Sequence, residues 1–439
     1  MGKYFGTDGI RGVAGDYLDT EMAYNVGLGL RKALDSDTVV IGKDTRESGD
    51  MLALSVAAGA MRAGMDVLYA GTVPTPVIAH YAKERAMTGI MITASHNPYT
   101  DNGIKVIDKG YKMSEESEAI IEAFIDQPEA PKTERFGFFK HAEEIMAVYK
   151  NLYAPFKEER MNLNVCFDTA NGATYEVAPE ILSPLVDGIF QVHGAPDGKN
   201  INAQCGSMHI EAIQQAVSEN GCDLGFSFDG DGDRVLAVDH KGRLYDGDML
   251  LYVIALKMKK EGTLNKDTVV LTEMSNPGIV KAFKDAGIAV VRTKVGDRNV
   301  SLEMQKNDYT LGGENSGHII LKNHLQTGDG ILAAVKTMHV IHTERRPIHA
   351  LCEDVEIFPQ ITENIRDVDK SVVGKKAVKK AVKDMKKALG KDALVLIRPS
   401  GTEPVIRITV SHQDEATVNK AIETLRAIIT KEGRDGTDE

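Results

Sequence analysis

Three similar α/β domains with mixed, largely parallel sheets around a central cleft, followed by a smaller α+β domain, form the architecture that the sequence predicts. Three observations point there. The chain has 439 residues, and a single core usually stops growing near ~250–300 residues. Apolar β-rich runs alternate with helical patterns, the signature of α/β layers. The alternation also comes in three rounds of the same order, each closing on a strand that runs into a polar loop. The expected boundaries are residues 1–135, 155–256, 257–348 and 351–439.

The first round opens on Thr38-Val-Val-Ile-Gly, continues through a helix over 51–63, the strand Asp66-Val-Leu-Tyr and a helix over 76–85, and closes on Gly89-Ile-Met-Ile-Thr-Ala. The second opens on Leu163-Asn-Val-Cys-Phe. A helix over 175–182, a strand over 189–193 and a helix over 210–219 lead to Asp223-Leu-Gly-Phe-Ser-Phe. The third runs from Thr268-Val-Val-Leu through a helix over 278–285, Ala289-Val-Val-Arg and a helix over 300–306 to Tyr309-Thr-Leu-Gly. After Leu351 a Lys-rich helix over 373–389 precedes Leu394-Val-Leu-Ile, the strand Val405-Ile-Arg-Ile-Thr-Val and a helix over 416–430. Residues 127–135 and 257–266 read as linkers, and the charged tail 431–439 as frayed.

Composition narrows the function. Hydrophobic residues make up 42% and charged residues 26%, ordinary for a globular protein. A net charge of -12 argues against a nucleic-acid or anionic-membrane binder. No apolar stretch approaches the ~20 residues of a membrane span, and the opening residues form neither a signal peptide nor a myristoylation pattern. A cytoplasmic enzyme is therefore expected. Cys166, Cys205, Cys222 and Cys352 make no C-x-x-C pair and read as buried free thiols.

In open α/β sheets ligands sit beyond the carboxyl ends of strands, so the loops that close the three rounds are expected to share one cleft. Asp229-Gly-Asp-Gly-Asp-Arg234 offers three carboxylates at alternate positions, with glycines that let the chain coil around a hard cation such as Mg²⁺. An EF-hand is excluded, because Arg234 and His240 stand where its Gly and Glu belong. Ser95-His96 invites a hydrolase reading, yet Thr93 and Asn97 replace the glycines of a nucleophile elbow, and neighbours on an extended loop tend to point apart. A serine near Mg²⁺ suits phosphoryl transfer. Glu314, Asn315, Ser316 and His318 lie between glycines and suit sugar hydroxyls. Arg398, Ser400, Gly401, Thr402 and the following Arg407 read as a phosphate cradle. The opening Phe5-Gly-Thr-Asp-Gly-Ile-Arg-Gly12 places glycines around Asp8 and Arg11, and the chain carries no P-loop.

Together the loops T-A-S-H-N-P, D-G-D-G-D-R, G-E-N-S-G-H and R-P-S-G-T-E-P, in that order, resemble the α-D-phosphohexomutase family along nearly the whole chain. The resemblance implies one Mg²⁺ per subunit on Ser95, Asp229, Asp231 and Asp233, and a Ser95 that must be phosphorylated for activity. It implies that Arg11, Lys105 and His318 assist transfer, with His96 and Arg234 nearby. Glu314, Asn315, Ser316, Asp297 and Arg298 would hold the sugar. Within the family, residues 4–12 and Val295-Gly-Asp-Arg298 resemble the amino-sugar branch. Asn315 and Asn299 depart from that branch's usual Gln and aromatic residue, which leaves hexose phosphates open. The expected reaction interconverts glucosamine 6-phosphate and glucosamine 1-phosphate through a bisphosphate, with the last domain moving to admit ligand. The expected partners are a phosphosugar and its bisphosphate, with no nucleic acid and no membrane; assembly into identical subunits stays open.

Overall fold

The computed structural model describes residues 2–6, 8–129, 132, 134–157, 160–366, 368–399 and 405–434. Four sheets are laid out in chain order. The first runs, side by side, Ile10–Val13, Asp101–Asp108, Thr88–Ile92, Thr38–Lys43, Asp66–Thr72 and Phe139–His141, with Tyr111–Lys112 folded onto Asp101–Asp108. The second runs Leu244–Tyr245, Val235–Asp239, Leu224–Phe228, Met161–Asp168 and Val186–Val192. The third runs Ala289–Thr293, Thr268–Thr272, Leu311–Gly313 and Ile319–Leu321. The fourth, Gln360–Ile365, Ile406–Ser411 and Leu394–Pro399, is wholly antiparallel. This is the predicted class of three α/β domains and a distinct α+β domain.

The three α/β sheets share a device that the sequence reading lacked. Each closing strand pairs in parallel with the strand that opens its round. Its loop then turns into a return strand that pairs antiparallel: Asp101–Asp108, Val235–Asp239 and Ile319–Leu321. Each polar loop is thus pinned at both ends by the same ladder, which fixes its exit and its re-entry.

Packing separates the last domain from the rest. One continuous apolar core joins the second and third domains to one face of the first sheet, including Val40, Ile78, Phe167, Phe226, Leu271 and Ile331. The last domain has its own core around Val395, Ile408, Val418 and Leu425. A shared core moves as one body because close-packed interiors resist shear. The first three loops are therefore held in a fixed relation, while the fourth domain is joined through the chain after Cys352.

That junction is clipped by Asn276. Its Nδ2 donates to the Phe358 carbonyl at 2.9 Å, and its Oδ1 accepts from Phe358 N–H at 3.0 Å. Asn276 N–H and Ser275 Oγ both donate to the buried Asp248. Burial, with Asp246 beside it, pushes the Asp248 carboxyl up to about 8. A carboxyl raised on folding stabilises the fold fully at acid pH and loses that contribution as pH rises through the raised value. We expect Asp248→Asn to flatten the fall in Tm between about pH 4 and about pH 8; a parallel fall in both proteins would rule this out.

Two expectations change. Residues 257–260 are not linker but the last turn of the helix Gly247–Lys260, capped by Asp246. Its charged look comes from lysines that favour a helix C-terminus, of which Lys257 and Lys260 both reach Glu344. Residues 431–434, expected to fray, continue the helix Glu415–Arg434. All four cysteines are free and buried. Among the described residues no helix is long and apolar enough to cross a membrane.

Candidate active site

Ser95 sits at the mouth of the first closing strand, buried, with φ of +54°. A left-handed backbone costs a non-glycine residue roughly 1–2 kcal/mol, so the surroundings must impose it. The turn aims Oγ at the second domain, where it donates to Asp229 Oδ2 at 2.6 Å. It also corrects the expectation that Ser95 and His96 point apart: His96 Nδ1 lies 3.3 Å from Ser95 Oγ. Burial, then the nearby Arg234 and Arg11, lower the His96 pKa to about 4, which keeps its imidazole neutral.

Asp229, Asp231 and Asp233 converge, with carboxylate oxygens within 4.8 Å of one another. Gly230 permits this, because a Cβ there would stand 2.5 Å from the Ser95 carbonyl oxygen. Asp231 Oδ1 and Asp233 Oδ1 are buried and have no hydrogen-bond partner among the described residues. Hard oxygens left unsatisfied in a buried cluster are what a divalent cation would occupy, so these residues fit a metal ion. Burial and the two neighbouring carboxylates push Asp229 well above the usual carboxylate range.

Two of the cations around this cluster, Lys105 and Arg11, come from the first domain. Lys105 Nζ lies 2.7 Å from Asp231 Oδ2, 3.2 Å from Asp233 Oδ2 and 3.0 Å from Asp8 Oδ2. Burial alone would lower its pKa, but the three carboxylates outweigh it and hold Lys105 as an ammonium. Arg11 pairs with Asp8. Arg234 backbone N–H donates to Asp229 Oδ1 at 3.1 Å, and the Arg234 backbone forms an isolated bridge to His318.

His318 is buried and is pulled two ways. Gly328 N–H donates to its Nε2 at 3.0 Å, which makes that nitrogen an acceptor and leaves the proton on Nδ1, facing Asp233 at 3.7 Å. Burial opposes charging it, yet Asp233, Asp297 and Glu314 raise its pKa. The hydrogen bond describes the resting tautomer, and the carboxylates make proton uptake easy.

The remaining predicted residues divide. Glu314 lies at the cleft and accepts from Gly296 N–H at 2.9 Å, while Asn315 and Ser316 are half-buried beside it. Asp297 accepts from Lys112 Nζ at 2.7 Å. Arg298 turns toward the first domain, donating to Glu118 Oε1 at 2.8 Å and to the Met113 carbonyl at 3.0 Å. Arg398 and Arg407 stand opposite one another across the antiparallel pair. Burial, then the facing Arg407, lower the Arg398 pKa, and Glu314 of the third domain opposes them. Two like charges set side by side make a place for an anion. Ser400, Gly401 and Thr402 lie outside the described residues.

Family models of the phosphoglucomutase/phosphomannomutase α/β/α domains I, II and III match residues 2–132, 138–242 and 246–358, and that of the C-terminal domain matches 362–428. The chain belongs to the phosphoglucomutase/phosphomannomutase family. It is 43% identical over 443 residues to a phosphoglucosamine mutase of Carboxydothermus hydrogenoformans, covering 98% of this chain and 100% of that one. It is 40% identical to a phosphoglucosamine mutase of Desulforudis audaxviator, covering 98% of each. Its fold is similar to a phosphoglucomutase/phosphomannomutase family protein of Burkholderia thailandensis, with a TM-score of 0.83, 22% identity and 98% of both chains covered. An N-acetylphosphoglucosamine mutase of Aspergillus fumigatus, solved with GlcNAc-6P and magnesium, gives a TM-score of 0.73 at 16% identity, covering 98% of this chain and 96% of that one.

Several residues around this cluster were given no role by the sequence. Asp8 accepts from Lys112 and pairs with both Lys105 and Arg11. Asp44 and Arg46 follow the strand Thr38–Lys43, and Asn202 lies in a loop of the second domain. The rule that sites gather beyond strand ends would have found Asp44 and Arg46, had it been applied to the opening strand as well as to the closing one. Asn202 follows no strand, and no signal of that kind marks it.

Proposed function

We infer that the protein interconverts glucosamine 6-phosphate and glucosamine 1-phosphate, with Ser95 carrying a phosphoryl group between turnovers. The observation that carries this reading is the 2.6 Å contact between Ser95 Oγ and Asp229 inside a buried three-carboxylate cluster. The naming of full-length relatives as phosphoglucosamine mutases supports the choice of sugar.

In the forward direction O1 of the 6-phosphate attacks the phosphorus on Ser95. The P–Oγ bond breaks, a P–O1 bond forms, and a 1,6-bisphosphate results. The sugar turns over, O6 gives its phosphoryl group back to Oγ, and glucosamine 1-phosphate leaves. Ser95 Oγ gains a proton as it departs, and Lys105, held as an ammonium, supplies it. His318 takes the proton of the attacking hydroxyl at Nε2, giving up the bond from Gly328 N–H. Asp229, Asp231 and Asp233 would hold Mg²⁺, which when bound stabilises the charge of the transferring group. Arg11 adds a fork of donors to that charge. Glu314, Asn315 and Ser316 orient the sugar hydroxyls, and Arg398 with Arg407 holds whichever phosphate is not reacting. The last domain, with its separate core, moves to admit and release the ligand. We place the enzyme in the cytoplasm, where four buried free thiols stay reduced.

Two measurements test this. Glucosamine 6-phosphate labelled in its phosphate should leave the label on sugar and on Ser95; stoichiometric release to water would make the protein a phosphatase. In a side-by-side comparison, kcat/KM for glucosamine phosphate should exceed that for mannose and glucose phosphates; a reversed order would move the protein to the hexose branch.

A further inference from the structure

The carbonyl side of Ser95 is built as fully as its hydroxyl side. Arg46 is buried, with its side chain wholly out of solvent. Its Nε donates to Asp44 Oδ2 at 2.9 Å, and one terminal nitrogen donates to the Ser95 carbonyl at 3.0 Å and the Asn97 carbonyl at 2.9 Å. The other terminal nitrogen bonds the Pro98 carbonyl. From the second domain, Asn202 Nδ2 donates to the same two carbonyls, Ser95 at 2.9 Å and Asn97 at 3.1 Å. Asp44 closes the circuit through Thr93, whose Oγ1 donates to Asp44 Oδ2 at 2.7 Å and accepts from Ser95 N–H at 2.9 Å.

We propose that Arg46 and Asn202 act as a two-sided clamp that positions Ser95, holding its left-handed backbone so that Oγ stays aimed at the three carboxylates throughout the phosphoryl cycle. The proposal rests on the reading of Ser95 as the phosphoryl carrier. Oγ cannot hold the loop by itself. When it becomes an ester oxygen it has no proton left, and its bond to Asp229 is lost. The bonds to the Ser95 carbonyl do not depend on what Oγ carries. They also come from two domains that share one apolar core, so the clamp is as rigid as that core.

Arg46 suits this place for a chemical reason. A guanidinium offers five donors in a planar fork, enough for one carboxylate and three carbonyls, and it stays charged when buried. A lysine offers three donors from a point charge. Asn202 is itself left-handed, with φ of +59°, and its own N–H is bound to the Ala170 carbonyl at 2.9 Å. Its backbone is therefore anchored beside the Ser95 loop. Both are positioning residues, since their contacts are with the backbone of the Ser95 loop.

The test uses the full-length protein with Mg²⁺, in the variants Asn202→Asp, Asn202→Gly, Arg46→Lys and Ser95→Ala. Asp and Gly both tolerate the left-handed backbone, so the Asn202 pair should fold. Asp turns an oxygen toward the two carbonyls and Gly removes the donor. We expect kcat to fall by about tenfold to a hundredfold in each Asn202 variant, as for a small misplacement of a reacting atom, with KM changed by less than about threefold. Tm should stay within about 3 °C of the parent. Arg46→Lys should lose at least as much turnover; if it does not fold, the Asn202 pair decides. Wild-type kcat in the Asn202 variants beside an inactive Ser95→Ala would overturn the clamp and leave the carrier standing. A loss that appears only in KM would overturn it too, by assigning these residues to binding. An active Ser95→Ala would remove the reading beneath both.

Discussion

Ser95→Ala should lower mutase turnover by roughly 10⁴-fold or more, the scale on which removing a covalent nucleophile acts. Nothing else at the site can take over its role. His96 is the nearest alternative nucleophile, yet its Nδ1 stands 3.3 Å from Oγ, so phosphoryl transfer to it would need a different in-line geometry. Binding should survive, because the groups assigned to sugar and phosphate lie on the third and fourth domains. Isothermal titration with a bisphosphate should therefore give a Kd within about tenfold of the parent, since Oγ is one small contact among many. The fold should hold as well. The left-handed backbone at residue 95 remains costly for Ala, but Arg46 and Asn202 keep their bonds to its carbonyl. Turnover at parental rates in Ser95→Ala would sink the carrier role outright.

Lys105→Met carries the second large effect, on stability as well as rate. The buried ammonium faces Asp8, Asp231 and Asp233, and methionine fills similar space without charge. Taking one partner from a buried ion pair costs about 3–5 kcal/mol, because the remaining carboxylates are left uncompensated. In chelator, denaturant unfolding should show a loss on that scale. Adding Mg²⁺ should recover part of it, since a ligand that binds only the folded state stabilises it by mass action. Turnover should fall by roughly 10²–10⁴-fold, the range for a lost proton donor, and Mg²⁺ should not restore it. Equal stability of variant and parent in chelator would mean that the carboxylates do not depend on Lys105.

Much of this site was legible before any fold was known, for a definite reason. Phosphate, metal and sugar each demand particular side chains at short spacing, so D-G-D-G-D-R and the serine loop announce themselves locally. The repeated β-α-β order also predicted that these loops would meet. Arg298 shows the limit. Its G-D-R setting points to a sugar contact but says nothing of what orients the guanidinium, which is Glu118 and the Met113 carbonyl in the first domain. Which way a long side chain turns depends on partners some 180 residues away, and spacing along the chain does not encode that.

The sequence by itself determined the number and type of domains, the four polar loops and the class of chemistry, because periodicity and ligand sets are short-range properties. Tertiary structure alone decided how those parts are held. It bent Ser95 into a left-handed turn and supplied the return strands that pin each loop. It brought Lys105 across to Asp231 and Asp233, and set Arg46 and Asn202 on the serine's carbonyl. Each of these is a contact between distant segments, fixed by shared packing.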